Sequence, residues 1–132
     1  MTITDFEEEI KKYTSDLKLA IKEGDKFKEG DSLENLAICY SVMPGHEDLQ
    51  KAVDYYNQAI NIFLQFDWVE MFYKASASLG MVYEKFLHDP DSALRVYEYA
   101  LDQGEKNLVF EVEEYYREEC IRAVGRLKNG RS

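Results

Sequence analysis

Two segments roughly forty residues apart carry one pattern, an L-[AG]-x2-Y block followed by an A-x3-Y-x2-A block. The first copy is Leu36, Ala37 and Tyr40 with Ala52, Tyr56 and Ala59; the second is Leu79, Gly80 and Tyr83 with Ala93, Tyr97 and Ala100. A recurring unit of this size cannot bury its apolar face alone and must stack on a neighbour, which points to a helical-repeat architecture. Spacings of three and four put the named residues of each block on one helical face. Small Ala or Gly positions there let two helices approach closely, and Tyr fills the space beside them. Each copy is therefore expected to be a helical hairpin.

The pattern resembles the tetratricopeptide repeat, whose signature runs W-x2-L-G-x2-Y, then A-x3-F-x2-A, then Pro. The Leu, Ala or Gly, and Tyr positions match in both copies, and Tyr56 and Tyr97 stand where the family has an aromatic. The chain departs from it at the tryptophan position, which is Leu33 in one copy and Ser76 in the other, and no proline ends either second helix. Extra residues around Met43, Pro44, Gly45 and His46 lengthen the first copy. The step from Ala52 to Ala93 is 41 residues, longer than the family's period of about 34, and looks like the long-helix variants in kinesin light chains and bacterial regulatory phosphatases.

The resemblance covers Leu33 to Ala100 and implies an all-α fold, a short right-handed α-solenoid of about six antiparallel helices. The expected organisation is a single domain over 1–132. An N-terminal helix spans 1–24, the repeats span 31–66 and 67–104, and a capping helix or degenerate third repeat spans 105–128.

Helix signals place these elements more closely. Thr4 and Glu7 predict a capping box for a first helix from Asp5 to Glu23, with Phe6, Ile10, Tyr13, Leu17 and Ile21 on its inner face and Gly24 ending it. The second helix starts near Asp25 or Asp31 and stops at Pro44-Gly45. The third runs from Asp48 to Phe66 with Ala52, Val53, Tyr56, Ala59, Ile60 and Phe63 inward. Asp67 is expected to cap a fourth helix reaching Leu87, with Trp68, Phe72, Ala75, Leu79, Val82, Tyr83 and Phe86 inward. Asp89 and Pro90 supply a cap and a first-turn proline for the fifth, which Gly104 closes. The sixth spans Leu108 to Leu127.

At 132 residues the chain has ordinary single-domain size. Its formal charge of −10 disfavours nucleic acid and anionic membranes, and suits basic partners or plain solubility. The acidic start, Met1 to Glu7, lacks the basic residues and apolar core of a signal peptide, and no apolar run approaches the roughly 18 residues of a membrane span. A cytoplasmic location is the expectation. Cys39 and Cys120, far apart in sequence, are expected to be buried and reduced. Arg122, Arg126, Lys128 and Arg131 make the end of the chain basic, as a helix C-terminus favours; the same charges would suit a contact surface.

The residues offer no chemistry. His88 follows Glu84 by four positions, but one such pair is too little for a metal, and His46 is expected in a loop. Nucleophile elbow, phosphate-binding glycine loop and Cys-x-x-Cys are all missing. The expectation is a non-enzymatic protein with neither cofactor nor metal.

Function in the family resembled resides in a groove lined by the first helix of each hairpin. Carried over by register from Leu36 and Leu79, that implies Asp31, Glu34, Ile38, Ser41 and Val42 from one copy and Lys74, Ala77, Met81, Glu84 and Lys85 from the other. The apolar strip of Ile38, Val42, Ala77 and Met81 would take an amphipathic helix or extended peptide of another protein. The same residues would instead be core if a terminal helix packs over them. Chaperone-binding members hold a terminal carboxylate with Lys and Asn, where this chain has Glu34 and Ile38 or Ala77 and Met81, so that role is disfavoured. The alternative is a self-associating module, a homodimer through exposed faces bearing Tyr55, Tyr99, Phe110 and Tyr115, since two repeats fall below the three or so that stability demands.

Overall fold

The computed structural model describes residues 2–43, 46–107 and 115–130, and of Ile3, His46, Glu47 and Asn107 the backbone alone. The turn expected at Pro44-Gly45, the expected start of the sixth helix at Leu108, Phe110 and Arg131 lie outside these residues. The described residues are all-helical. They form α1 (Ile3–Glu23), α2 (Lys26–Val42), α3 (His46–Gln65), α4 (Val69–Met81), a π-helical turn (Val82–Phe86), α5 (Pro90–Asn107) and α6 (Tyr115–Asn129), with no strand among them.

The chain divides into two compact units, Met1–Ile62 and Phe63–Ser132. In the first, α1 packs on α2; in the second, α4, α5 and α6 pack on one another and the π-helical turn packs on α5. The repeated positions have the same burial in each copy. Leu36, Ala37, Ala52, Tyr56 and Ala59 are buried in the first unit, and Leu79, Gly80, Ala93, Tyr97 and Ala100 in the second, while Tyr40 and Tyr83 are half-buried in both. Larger residues fill out each core, Leu33, Val53 and Ile60 in one and Phe63, Phe72, Val82 and Leu94 in the other. Each such side chain contributes about 1.5–3 kcal/mol on leaving water.

The termini of the helices follow from local hydrogen bonding. α1 begins two residues earlier than the Thr4/Glu7 pattern predicts, because Thr2 and Asp5 form the reciprocal box instead: Asp5 N–H donates to Thr2 Oγ1 at 3.3 Å and Thr2 N–H to Asp5 Oδ2 at 2.8 Å. Asp25 caps α2 by accepting from Lys28 N–H at 3.0 Å, so Gly30 lies inside the helix and is buried. α3 begins at His46, two residues before Asp48, so the expected loop position of His46 is corrected to the first turn of a helix.

Asp67 acts at the end of α3 rather than at the start of α4. It adopts a left-handed backbone with φ 57°, its N–H donates to Leu64 O at 3.3 Å, and Trp68 N–H reaches Phe63 O at 2.9 Å. These are the two bonds of a Schellman closure, and the Trp68 ring meets the Phe63 ring edge-on at 6.4 Å as the accompanying apolar contact. α1 ends the same way with glycine in that place: Gly24, φ 70°, donates to Ile21 O and Asp25 N–H to Ala20 O. The inner face of α1 accordingly closes on Ala20, which is buried, while Ile21 is 58% exposed.

Two further expectations are corrected in the second unit. Gly104 does not close α5, which continues to Asn107; Gly104 is buried within it, where a Cβ would lie 1.8 Å from Tyr73 Oη. The fourth helix does not run regularly to Leu87. After Met81 the chain widens into one π-helical turn, with Leu87 N–H donating to Val82 O at 3.0 Å, and stops at His88, whose φ is 52°. The wider turn changes the direction in which its residues point, and Phe86, its last residue and expected inward, is 45% exposed.

Candidate functional site

The second unit contains a cleft of about 280 Å³ on the face of α4 that meets α6. α4 supplies Ala77, Ser78 and Met81; the π-helical turn adds Glu84 and Lys85; α5 contributes Tyr97; and α6 provides Tyr115, Tyr116, Glu119, Ala123 and Arg126. Four of the five groove positions expected in the second copy, Ala77, Met81, Glu84 and Lys85, thus lie together along one wall. Lys74 is half-buried and is not part of the lining.

In the first unit Ile38 and Val42, one helical turn apart on α2, are exposed. Asp31 and Ser41 are half-buried: Asn35 donates to the Asp31 carboxylate at 3.4 Å, and Ser41 Oγ donates to Ile38 O at 2.7 Å. Glu34 is buried.

The cleft is mainly apolar and aromatic, with Lys85, Glu119 and an Arg126–Glu84 ion pair supplying its charge. Arg126 donates from Nη2 to Glu84 Oε1 at 3.2 Å and from Nη1 to Glu84 Oε2. The fork-on-carboxylate arrangement is among the stronger side-chain pairings. Its partners raise the Arg126 guanidinium above its ordinary value, chiefly through the Glu84 hydrogen bond. Burial, with the negative charge of Glu84 beside it, also pushes the Tyr97 hydroxyl well above its usual range, so it remains a neutral donor. The Tyr115 and Tyr116 rings meet edge to face at 5.1 Å where α6 begins.

The basic residues of α6 are engaged with carboxylates. Besides Arg126 with Glu84, Arg122 pairs with Glu119 and Lys128 with Glu98 at 3.3 Å. Glu84 and His88 do not share a helical face, because the left-handed backbone of His88 lies beyond the end of the π-helical turn.

The two cysteines are buried and unlinked. Burial first, and then the neighbouring Glu9 carboxylate, push the Cys39 thiol up to about 11, so it is held as the unreactive neutral form. Among the described residues no group of His, Cys, Asp and Glu is arranged to hold a metal ion, and no helix is long and apolar enough to cross a membrane.

The position of Arg126 in the site, and the role of α6 as the second wall, were not visible in the repeat pattern. The only signal was the change of charge after Glu119. No protein-family model, no curated protein and no solved structure matches this chain.

Proposed function

We propose that this chain is a non-enzymatic adaptor of tetratricopeptide-like architecture, a short right-handed solenoid of helical hairpins acting in the cytoplasm. It binds a peptide or amphipathic helix of another protein through apolar anchors, Ala77 and Met81 of α4 foremost. The observation that carries this reading is the cleft, in which Ala77, Met81, Glu84 and Lys85 converge around an apolar and aromatic cavity. Equal burial of the repeated positions in both copies supports the repeat architecture. Such a surface suits recognition through a few apolar anchors inside a polar rim.

The test is capture of partners by wild type, Met81→Asp and Ile38→Asp, with Tyr99→Asp as a surface control and circular dichroism to verify folding. Retention by wild type and Tyr99→Asp, with loss in folded Met81→Asp, supports the adaptor. Identical captures from all four chains would overturn it.

A second reading, self-association, is favoured by the exposure of Tyr99 and Tyr115, two large aromatic side chains on α5 and α6. Tyr55 belongs to it less well, because it is half-buried and stacked on Tyr40 at 5.7 Å. Sedimentation equilibrium separates the readings: a dimer that Tyr115→Asp dissociates would support this one.

A further inference from the structure

The ion pair at the cleft joins two unequally held groups. Glu84 lies on the π-helical turn with only 11% of its side chain exposed, whereas the Arg126 side chain is 54% exposed. The carboxylate is therefore the fixed half, and the guanidinium is the half that solvent reaches. Withdrawing Arg126 with nothing in its place would leave a largely buried carboxylate with only the exposed Lys85 ammonium 3.7 Å away, which is costly. Exchanging it for a second guanidinium keeps the charge pairing and both hydrogen bonds.

The surroundings favour that exchange. Met81, Tyr97, Tyr115 and Tyr116 present apolar and aromatic faces to the cavity, surfaces on which an arginine stem packs and its planar head stacks. The other charged groups of the lining do not compete for the carboxylate as a fork would. Glu119 is paired with Arg122, and Lys85 approaches Glu84 Oε2 at 3.7 Å with 61% of its side chain exposed. A formal charge of −10 also draws cationic peptides toward the molecule.

We propose that the cleft is a receptor for an arginine side chain of the partner, with Glu84 as the recognition carboxylate and Arg126 as an internal occupant that the partner displaces. The proposal rests on the adaptor reading and names the chemistry its ligand must carry.

Two blocked peptides serve as probes, one with a central arginine between leucines and its twin with neutral citrulline, each titrated calorimetrically into the 132-residue chain. The arginine peptide is expected to bind about tenfold tighter than its twin. Arg126→Met keeps the stem against the cleft wall and removes the competing charge. Freeing a competent state that was only fractionally populated should raise affinity for the arginine peptide about tenfold, with little change for citrulline. Glu84→Gln should make the twins equal.

Equal binding of the twins to wild type would overturn the proposal, as would weaker arginine binding by folded Arg126→Met or no binding of either peptide. If equal binding is abolished by Met81→Asp, the groove reading survives and the arginine receptor alone falls. If neither peptide binds, the arginine receptor falls and the capture experiment decides the adaptor separately. A purely structural role for Arg126 would lower the melting temperature of Arg126→Met without raising its affinity.

Discussion

The ring of Tyr97 occupies the space that a side chain at residue 80 would need: a Cβ on Gly80 would lie 2.3 Å from both Cε1 and Cζ of Tyr97. This contact sets the approach of α4 to α5. It also gives physical meaning to the repeated pattern, in which a small residue of one helix is matched by an aromatic of the next. The corresponding register holds Ala37 and Tyr56 in the first unit, both buried.

Gly80→Ala is therefore expected to destabilise the fold. Alanine gains about 1 kcal/mol over glycine in a helix interior, but forcing a methyl against a buried ring costs about 1–3 kcal/mol. The rigid, buried ring puts the cost toward the upper end, for a net loss of about 1–2 kcal/mol in urea unfolding. In a Tyr97→Leu background the same change should cost less, a coupling that a double-mutant cycle detects. Gly125, with nothing within 4 Å of its would-be Cβ, is the control. There Gly125→Ala should stabilise by roughly 1 kcal/mol, and equal effects at positions 80 and 125 would contradict the packing account.

The all-helical class and most of both cores were legible in the sequence, because spacings of three and four report burial whatever the connections are. Leu36, Ala37, Ala52, Tyr56 and Ala59 and their counterparts all lie where the periodicity puts them. Helix ends were less legible, since capping depends on which of several nearby polar residues wins. Thr2 with Asp5 displaced Thr4 with Glu7, and Asp67, expected to cap the start of α4, instead closes α3. The π-helical turn was not legible, since no residue within Val82–Phe86 marks a change of helical period. Phe86 is exposed there, and Gly104, read as a stop, is a packing glycine against Tyr73. Four groove positions could be placed together by register, but the wall opposite them could not, because α6 is not part of the repeated pattern.

Asp67 carries a left-handed backbone, φ 57°, in the place where α1 has Gly24. A side chain in that conformation is disfavoured, less so for Asp than for most residues. Asp67→Gly is expected to stabilise the chain by about 0.5–1 kcal/mol, the relief of strain exceeding the entropy that glycine adds to the unfolded chain. Thermal unfolding measures this, with Asp67→Val, β-branched at the same φ, expected to shift the midpoint downward.

The start of α5 makes stability depend on acid. Ser92 Oγ donates to Asp89 Oδ2 at 2.6 Å and Ser92 N–H to Oδ1 at 3.0 Å; the hydroxyl bond first, and then the backbone bond, hold the carboxyl below its ordinary 3.8. Asp5, bonded first to Thr2 N–H and then to its hydroxyl, is lowered in the same way. A value lower in the folded than in the unfolded chain means that the contribution is present above the ordinary value and is lost as pH falls through the folded one. The melting temperature should therefore fall as pH drops below about 4. Asp89→Asn, which keeps an acceptor for the backbone N–H, should reduce the slope of that acid limb with little change at neutral pH. An unaltered slope would show that Asp89 does not contribute to it.

The unequal exposure of Arg126 and Glu84 predicts unequal costs for removing them. Because the guanidinium is half in solvent, added salt should screen the pair. The single variants should nevertheless differ. Glu84→Gln leaves Arg126 free to turn into water, so its cost should be small. Arg126→Met leaves the Glu84 carboxylate, 11% exposed, beside the buried Tyr97 ring without its bidentate donor. Losing the partner of a mostly buried charged group costs about 1–3 kcal/mol. Urea unfolding at neutral pH should rank Arg126→Met below Glu84→Gln in stability. The reverse order would mean that the carboxylate is well solvated and that the Arg126–Glu84 pair does little to hold α6, whose buried Cys120 and Ala123 would then carry more of that load.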